Sequence, residues 1–94
     1  MERITEKMID AKLKTLNLLT GASVEPYKPY RDSKGHIIQN KGHYYLQGCY
    51  GAFKIEQMAE NGSNDITPLG TKREVYNQAK AMIEGVYAYK EMNR

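Results

Sequence analysis

The chain predicts an α+β fold: one domain in the order α-β-β-β-α, a three-stranded antiparallel sheet with two helices packed on one face. Three observations predict it. Apolar residues recur at helical spacing near both ends, the middle alternates aromatic and branched residues with polar ones, and glycines together with Asn61-Gly62 punctuate that middle. Ninety-four residues, 40% of them hydrophobic, supply one small core and not two, so 1–94 is read as a single domain. A core this small gains from burial against a second copy or another partner, so a homodimer would be physically useful.

The first element is a helix over 4–20. Ile9, Leu13, Leu16 and Leu19 follow the helical period, with Met8 and Leu18 widening the stripe, and Glu6, Lys7, Asp10, Lys12 and Lys14 lie mostly off it. Gly21 stands where a left-handed residue commonly ends a helix.

Residues 22–42 read as a basic, Tyr- and Pro-rich loop. Pro26 and Pro29 exclude a helix interior and a central strand, "DSKG" from Asp32 to Gly35 has turn composition, and "IIQ" fits a short edge strand.

A β-meander is expected over 43–69, with strands near 43–49, 52–59 and 64–69. Gly48 and Gly51 permit a tight connection around Cys49-Tyr50, Asn61-Gly62 is a strong hairpin signal, and Pro68 demotes the third strand to a short edge.

The last element is a helix over 72–91. "TKRE", Thr71 to Glu74, fits a capping box, in which threonine and glutamate each take the other's backbone N–H. Val75, Ala79, Met82, Val86 and Tyr89 keep the 3.6 period, with Tyr76 and Ile83 beside them. Gly85 interrupts the series and suggests close approach by another backbone.

Charge and composition bound the function. Net charge is +3 and the pI about 9.0, which favours polyanions over polycations. Cys49 is the only cysteine, so no internal disulfide can form and a reducing compartment fits. No apolar run of signal-peptide or membrane-spanning length occurs; the expectation is a cytoplasmic protein with no membrane partner. His36 and His43 lack further ligands at a metal spacing, and Cys49 reads as a buried or half-buried structural thiol. Neither a phosphate loop nor a nucleophile elbow is present. The expectation is a protein with no enzymatic activity, metal or cofactor.

Three groups of residues are candidate binding sites. Lys28, Arg31, Lys34 and Lys41 surround Asp32 in the Tyr-rich loop, a local charge of +3 equal to the excess of the whole chain. Tyr27, Tyr30 and Tyr44 among them would serve as stacking platforms for bases. The competing reading is a solvated loop whose tyrosines fold back on the core. Lys72 and Arg73 occupy the first turn of the last helix, where the dipole disfavours cations, as an anion-capturing pair would; the alternative is that they pair with acidic groups or extend into water. Finally, eight tyrosines against one phenylalanine suggest a Tyr-lined patch, including Tyr50, for a protein partner.

The α-β-β-β-α order and the basic helix start in "GTKREVYNQAKAMIEG" resemble the layout of a double-stranded-RNA-binding domain, with Tyr76, Gln78 and Met82 departing from that family's alanine-rich continuation. Over nearly the whole chain, "ITEKMIDAKLKTLN", "GHYYLQGCYGAFKIEQM" and "GTKREVYNQAKAMIEGV" are similar to small accessory proteins of tailed bacteriophages and prophages. That resemblance implies a bacteriophage protein that acts by binding inside a bacterial host, on nucleic acid or on a host-defence component. The expectation is therefore a stoichiometric inhibitor of a host protein, with a nucleic-acid or nucleotide-binding module as the alternative.

Overall fold

Helix α1 spans Glu6–Thr20 in the computed structural model, which describes residues 3–60 and 62–92. Thr5 caps it, its Oγ1 accepting from the Met8 N–H at 3.2 Å, and Gly21 at φ +77° ends it. The stripe of Ile9, Leu13 and Leu16 is buried as its period requires, whereas Leu18 is 65% exposed and does not belong to it. The polar residue Asn17 takes that place on the buried face.

Within the segment expected to be a loop, "IIQ" forms the expected short edge strand, β2 (Ile37–Gln39), but the stretch expected to be irregular chain pairs with it as β1 (Tyr27–Arg31), making an antiparallel ribbon. The prolines allow this because the ribbon is all edge. Pairing shifts from Tyr27↔Gln39 to Arg31↔Ile37, so Pro29 falls in a bulged stretch where its missing N–H is not required.

The meander forms a separate sheet, β3 (Tyr44–Cys49), β4 (Ala52–Met58) and β5 (Ser63–Asp65), antiparallel in that order. Tyr50 at φ +51° and Gly51 at φ +80° make the two-residue turn between β3 and β4, the paired positive-φ geometry that matches strand twist. Asn61 of the expected second turn lies outside the described residues; Gly62 has φ +103°.

β5 is shorter than the expected 64–69. Thr67 turns its Oγ1 onto the Ile55 N–H at 3.0 Å, while the N–H groups of Ile66 and Thr67 both donate to the Ile55 carbonyl. Two residues are thereby looped out, and pairing resumes only at Phe53↔Gly70. Pro68 sits in the looped stretch, where no ladder bond is asked of it.

Helix α2 covers Lys72–Met92. Its capping box forms as expected: Glu74 Oε1 accepts from the Thr71 N–H at 3.0 Å, and Thr71 Oγ1 accepts from the Glu74 N–H at 3.1 Å. Val75, Ala79 and Ile83 are buried, Met82 and Val86 half-buried, and Tyr89 is 69% exposed, so burial ends before the last two turns. Gly85 lies on the open side with nothing within 4 Å of where a Cβ would stand, which removes the expected close backbone approach.

Both helices pack on one face of the β3-β4-β5 sheet, with Ile55 at the centre of a core that includes Ile9, Leu13, Leu16, Val75 and Ala79. Each of the isoleucines, leucines and Val75 contributes about 1.5–3 kcal/mol through burial, and Ala79 less. The radius of gyration, 14.5 Å, exceeds the roughly 12 Å of a compact chain this long, because the ribbon and the end of α2 project.

Candidate functional site

The β1–β2 ribbon is the most distinctive surface. All five residues of β1 are exposed, which presents Tyr27, Lys28, Tyr30 and Arg31 to solvent, and Lys34 is exposed at the tip. Asp32 organises that tip. Its Oδ1 accepts from the N–H groups of Lys34 at 2.8 Å and His36 at 2.9 Å, its own N–H donates to the His36 carbonyl, and Oδ2 lies 3.6 Å from His36 Nδ1. Arg31 closes the turn by donating to the Gly35 carbonyl at 3.0 Å. The acidic residue inside the basic stretch is therefore what shapes it.

The base of the ribbon is tied to the body by amides. Asn40 Nδ2 donates to the Glu25 carbonyl at 2.9 Å and its N–H to the Pro26 carbonyl at 2.9 Å; Gln39 Nε2 donates to the carbonyls of Ala59 and Gly62. His43, buried, lies 2.7 Å through Nδ1 from the Ser23 carbonyl. A carbonyl only accepts, so Nδ1 carries the proton, and the 3.3 Å approach of Asn17 Nδ2 to the same nitrogen is not a hydrogen bond.

The ten candidate residues fall into two groups. Tyr27, Lys28, Tyr30, Arg31 and Lys34 are gathered on the ribbon, and Lys41 is exposed where the chain leaves it. Tyr44 begins β3 nearby but is half-buried against the core. Tyr50, Lys72 and Arg73 lie at the other end of the sheet, about 20 Å of strand away. There Lys72 Nζ stands 5.5 Å over the Phe53 ring, and Lys72, Arg73 and Arg3 line a shallow depression with Thr71, Ile4 and Gly51. No single ligand face contains both groups.

The sheet face away from the helices carries a charged network that the sequence did not announce. Tyr45 Oη donates to Glu56 Oε1 at 2.6 Å, Ser63 Oγ donates to the same oxygen at 3.0 Å, and Lys54 Nζ bridges Glu56 at 3.2 Å and Asp65 at 2.9 Å. Glu56 is buried, yet its partners outweigh the burial: the Tyr45 hydroxyl first, then Lys54 and Ser63, hold its carboxyl below the ordinary value. Burial and the Glu56 carboxylate push the Tyr45 phenol up. Both carboxylate oxygens of Glu56 thus have a donor, as a buried carboxylate in a structural unit requires.

Cys49 is free and half-buried. Among the described residues no three His, Cys, Asp or Glu side chains gather where they could hold a metal ion, and no helix is long and apolar enough to cross a membrane. The chain matches no protein-family model, no curated protein and no solved structure.

The sequence reading placed Asp32 in a turn without giving its side chain a positioning role, and passed over Asn17 altogether. Asp32 had a visible signal, since aspartate at the first and glycine at the fourth position marks a hydrogen-bonded turn. Asn17 had one too, a polar side chain on the apolar stripe beside Leu13 and Leu16.

Proposed function

We propose that the protein is a non-enzymatic binding module whose working part is the β1–β2 ribbon, with a nucleic-acid backbone as its ligand. The reading rests on one observation: the basic and aromatic residues of 27–34 project from an ordered ribbon every β1 residue of which is exposed. A two-stranded ribbon fits a major groove, and its exposed tyrosines suit stacking on unpaired bases. Pre-ordering also reduces the entropy lost on binding. Lys28, Arg31, Lys34 and Lys41 supply the charge; Lys72 and Arg73 lie too far away to join the same contact.

Binding of fluorescent single- and double-stranded DNA and RNA at low and moderate salt tests this, with Lys28, Arg31 and Lys34 replaced by glutamate as the control. Affinity falling with salt at a slope of roughly −3 to −4 corresponds to four phosphate contacts. A variant that binds as well as the parent defeats the reading.

A second reading is a phage-type accessory protein that blocks a host-defence component by stoichiometric protein binding in the bacterial cytoplasm. It is favoured by the complete exposure of Tyr50 at the end of an uncharged strand, since exposed tyrosine is characteristic of protein interfaces. It predicts a complex whose affinity changes little with salt.

A further inference from the structure

β3 is an edge strand, and its free main-chain groups can be located. The N–H and C=O of Ile55 and of Phe53 are engaged on the β5 side, through Thr67 and Ile66 and through Gly70 respectively. Their β3 partners Leu46 and Gly48 therefore sit at non-hydrogen-bonded positions of the β3–β4 ladder, with their own N–H and C=O groups pointing outward. Tyr44 would continue this row, but Asn17 occupies it, and the row ends at the Tyr50–Gly51 turn. Among the described residues nothing takes the four outward groups of Leu46 and Gly48, and Gln47 and Gly48 are exposed.

This edge is also undefended. The stretch from Tyr44 to Phe53 contains no charged residue and no proline, whereas the β1 edge carries Lys28, Pro29 and Arg31.

We infer that β3 pairs antiparallel with β3 of a second copy of the chain, about a two-fold axis at Gln47. One two-fold register uses all four open groups: Leu46 of each copy exchanges both main-chain bonds with Gly48 of the other, four bonds in all, whereas a two-fold at Leu46 or at Gly48 would make only two. Gly48 leaves room beside the Leu46 side chain opposite it. The same register brings Tyr50 of each copy opposite Tyr44 of the other. Beside Tyr44, between α1 and the start of β3, lies a cleft of about 320 Å³ whose lining includes Asp10, Lys14, Asn17, Val24 and Tyr44. Tyr50 is wholly exposed, and the φ of +51° that the two-residue turn requires is unfavourable for a bulky side chain, so no contact within one copy accounts for a tyrosine at that position. Across the two-fold it becomes the knob that fills the cleft, with Asp10 supplying an acceptor for its hydroxyl.

Light scattering across a concentration series, with disulfide trapping, tests the pairing. The parent protein should weigh as a dimer. Gln47→Cys in a Cys49→Ser background should form a covalent dimer on mild oxidation, because Cα atoms at that kind of pair lie about 4.5 Å apart, within disulfide range. The parent's Cys49 faces Tyr45 of the other copy, roughly 13 Å along the strand from its symmetry mate, and should not crosslink. Tyr50→Asn should raise the dimer dissociation constant about tenfold or more, while raising the melting temperature of the monomer by relieving the positive φ. A monomer at all concentrations, including one that binds extended peptides along β3, overturns the inference. So does a dimer that neither Tyr50→Asn nor Gln47→Lys weakens, or one trapped through Cys49 as readily as through Gln47→Cys.

Discussion

Asn17 grips the main chain of Tyr44 from both sides: its Oδ1 accepts from the Tyr44 N–H at 2.8 Å, and its Nδ2 donates to the Tyr44 carbonyl at 3.1 Å. A helix side chain thus behaves as one residue of a neighbouring strand. It closes the first position of an otherwise open edge and fixes α1 against β3 in one register.

Replacing Asn17 with alanine leaves two main-chain groups without partners in a partly buried setting. The expected loss is about 2 kcal/mol or more in urea unfolding, together with faster hydrogen exchange at the Tyr44 amide. Asn17→Asp should be comparably damaging, since a carboxylate accepts the N–H but repels the carbonyl. A loss below about 0.5 kcal/mol would show the pair to be incidental.

Asp32 separates an ordered ribbon from a merely basic loop. Asp32→Ala removes a negative charge amid Lys28, Arg31 and Lys34, which by electrostatics alone would strengthen binding to nucleic acid. If the ribbon must be ordered, losing the caps on Lys34 and His36 should weaken binding instead. Titration of labelled DNA at fixed salt decides between the two signs.

Glu56 should make stability depend on acid. Its folded-state pKa lies below the ordinary 4.5, so its contribution is complete above that value and is lost as pH falls through the lowered one. Thermal melts between neutral pH and strongly acidic conditions should show a decline that Glu56→Gln makes shallower. Tyr45 acts at the opposite end of the scale. Its raised pKa means that stability falls as pH climbs past its ordinary value of 10.0, and Tyr45→Phe should blunt that fall.

Gly85 occupies an open position in the exposed half of α2, and alanine meets nothing there. Gly85→Ala should stabilise the protein by up to about 1 kcal/mol, read as a higher melting temperature with unchanged binding. Destabilisation would mean that another chain approaches this turn.

The sequence by itself determined both helices, the central hairpin and the start of α2, because these rest on local rules. The Ile9, Leu13 and Leu16 spacing, the Tyr50-Gly51 turn and the Thr71/Glu74 box each involve residues a few positions apart, whose geometry is set by the backbone alone. The cations of the candidate surface were legible as composition. What only the tertiary structure decided was which of them lie together: Lys28, Arg31 and Lys34 are exposed on one ribbon, while Lys72 and Arg73 lie at the far end of the sheet. The ribbon itself depends on bonds from Asn40 back to Glu25 and Pro26 and from Gln39 to Ala59, and Asn17 meets Tyr44 across twenty-seven positions. Such pairs are chosen by the packing of the whole core, since a side-chain amide takes whichever main-chain groups the fold brings to it.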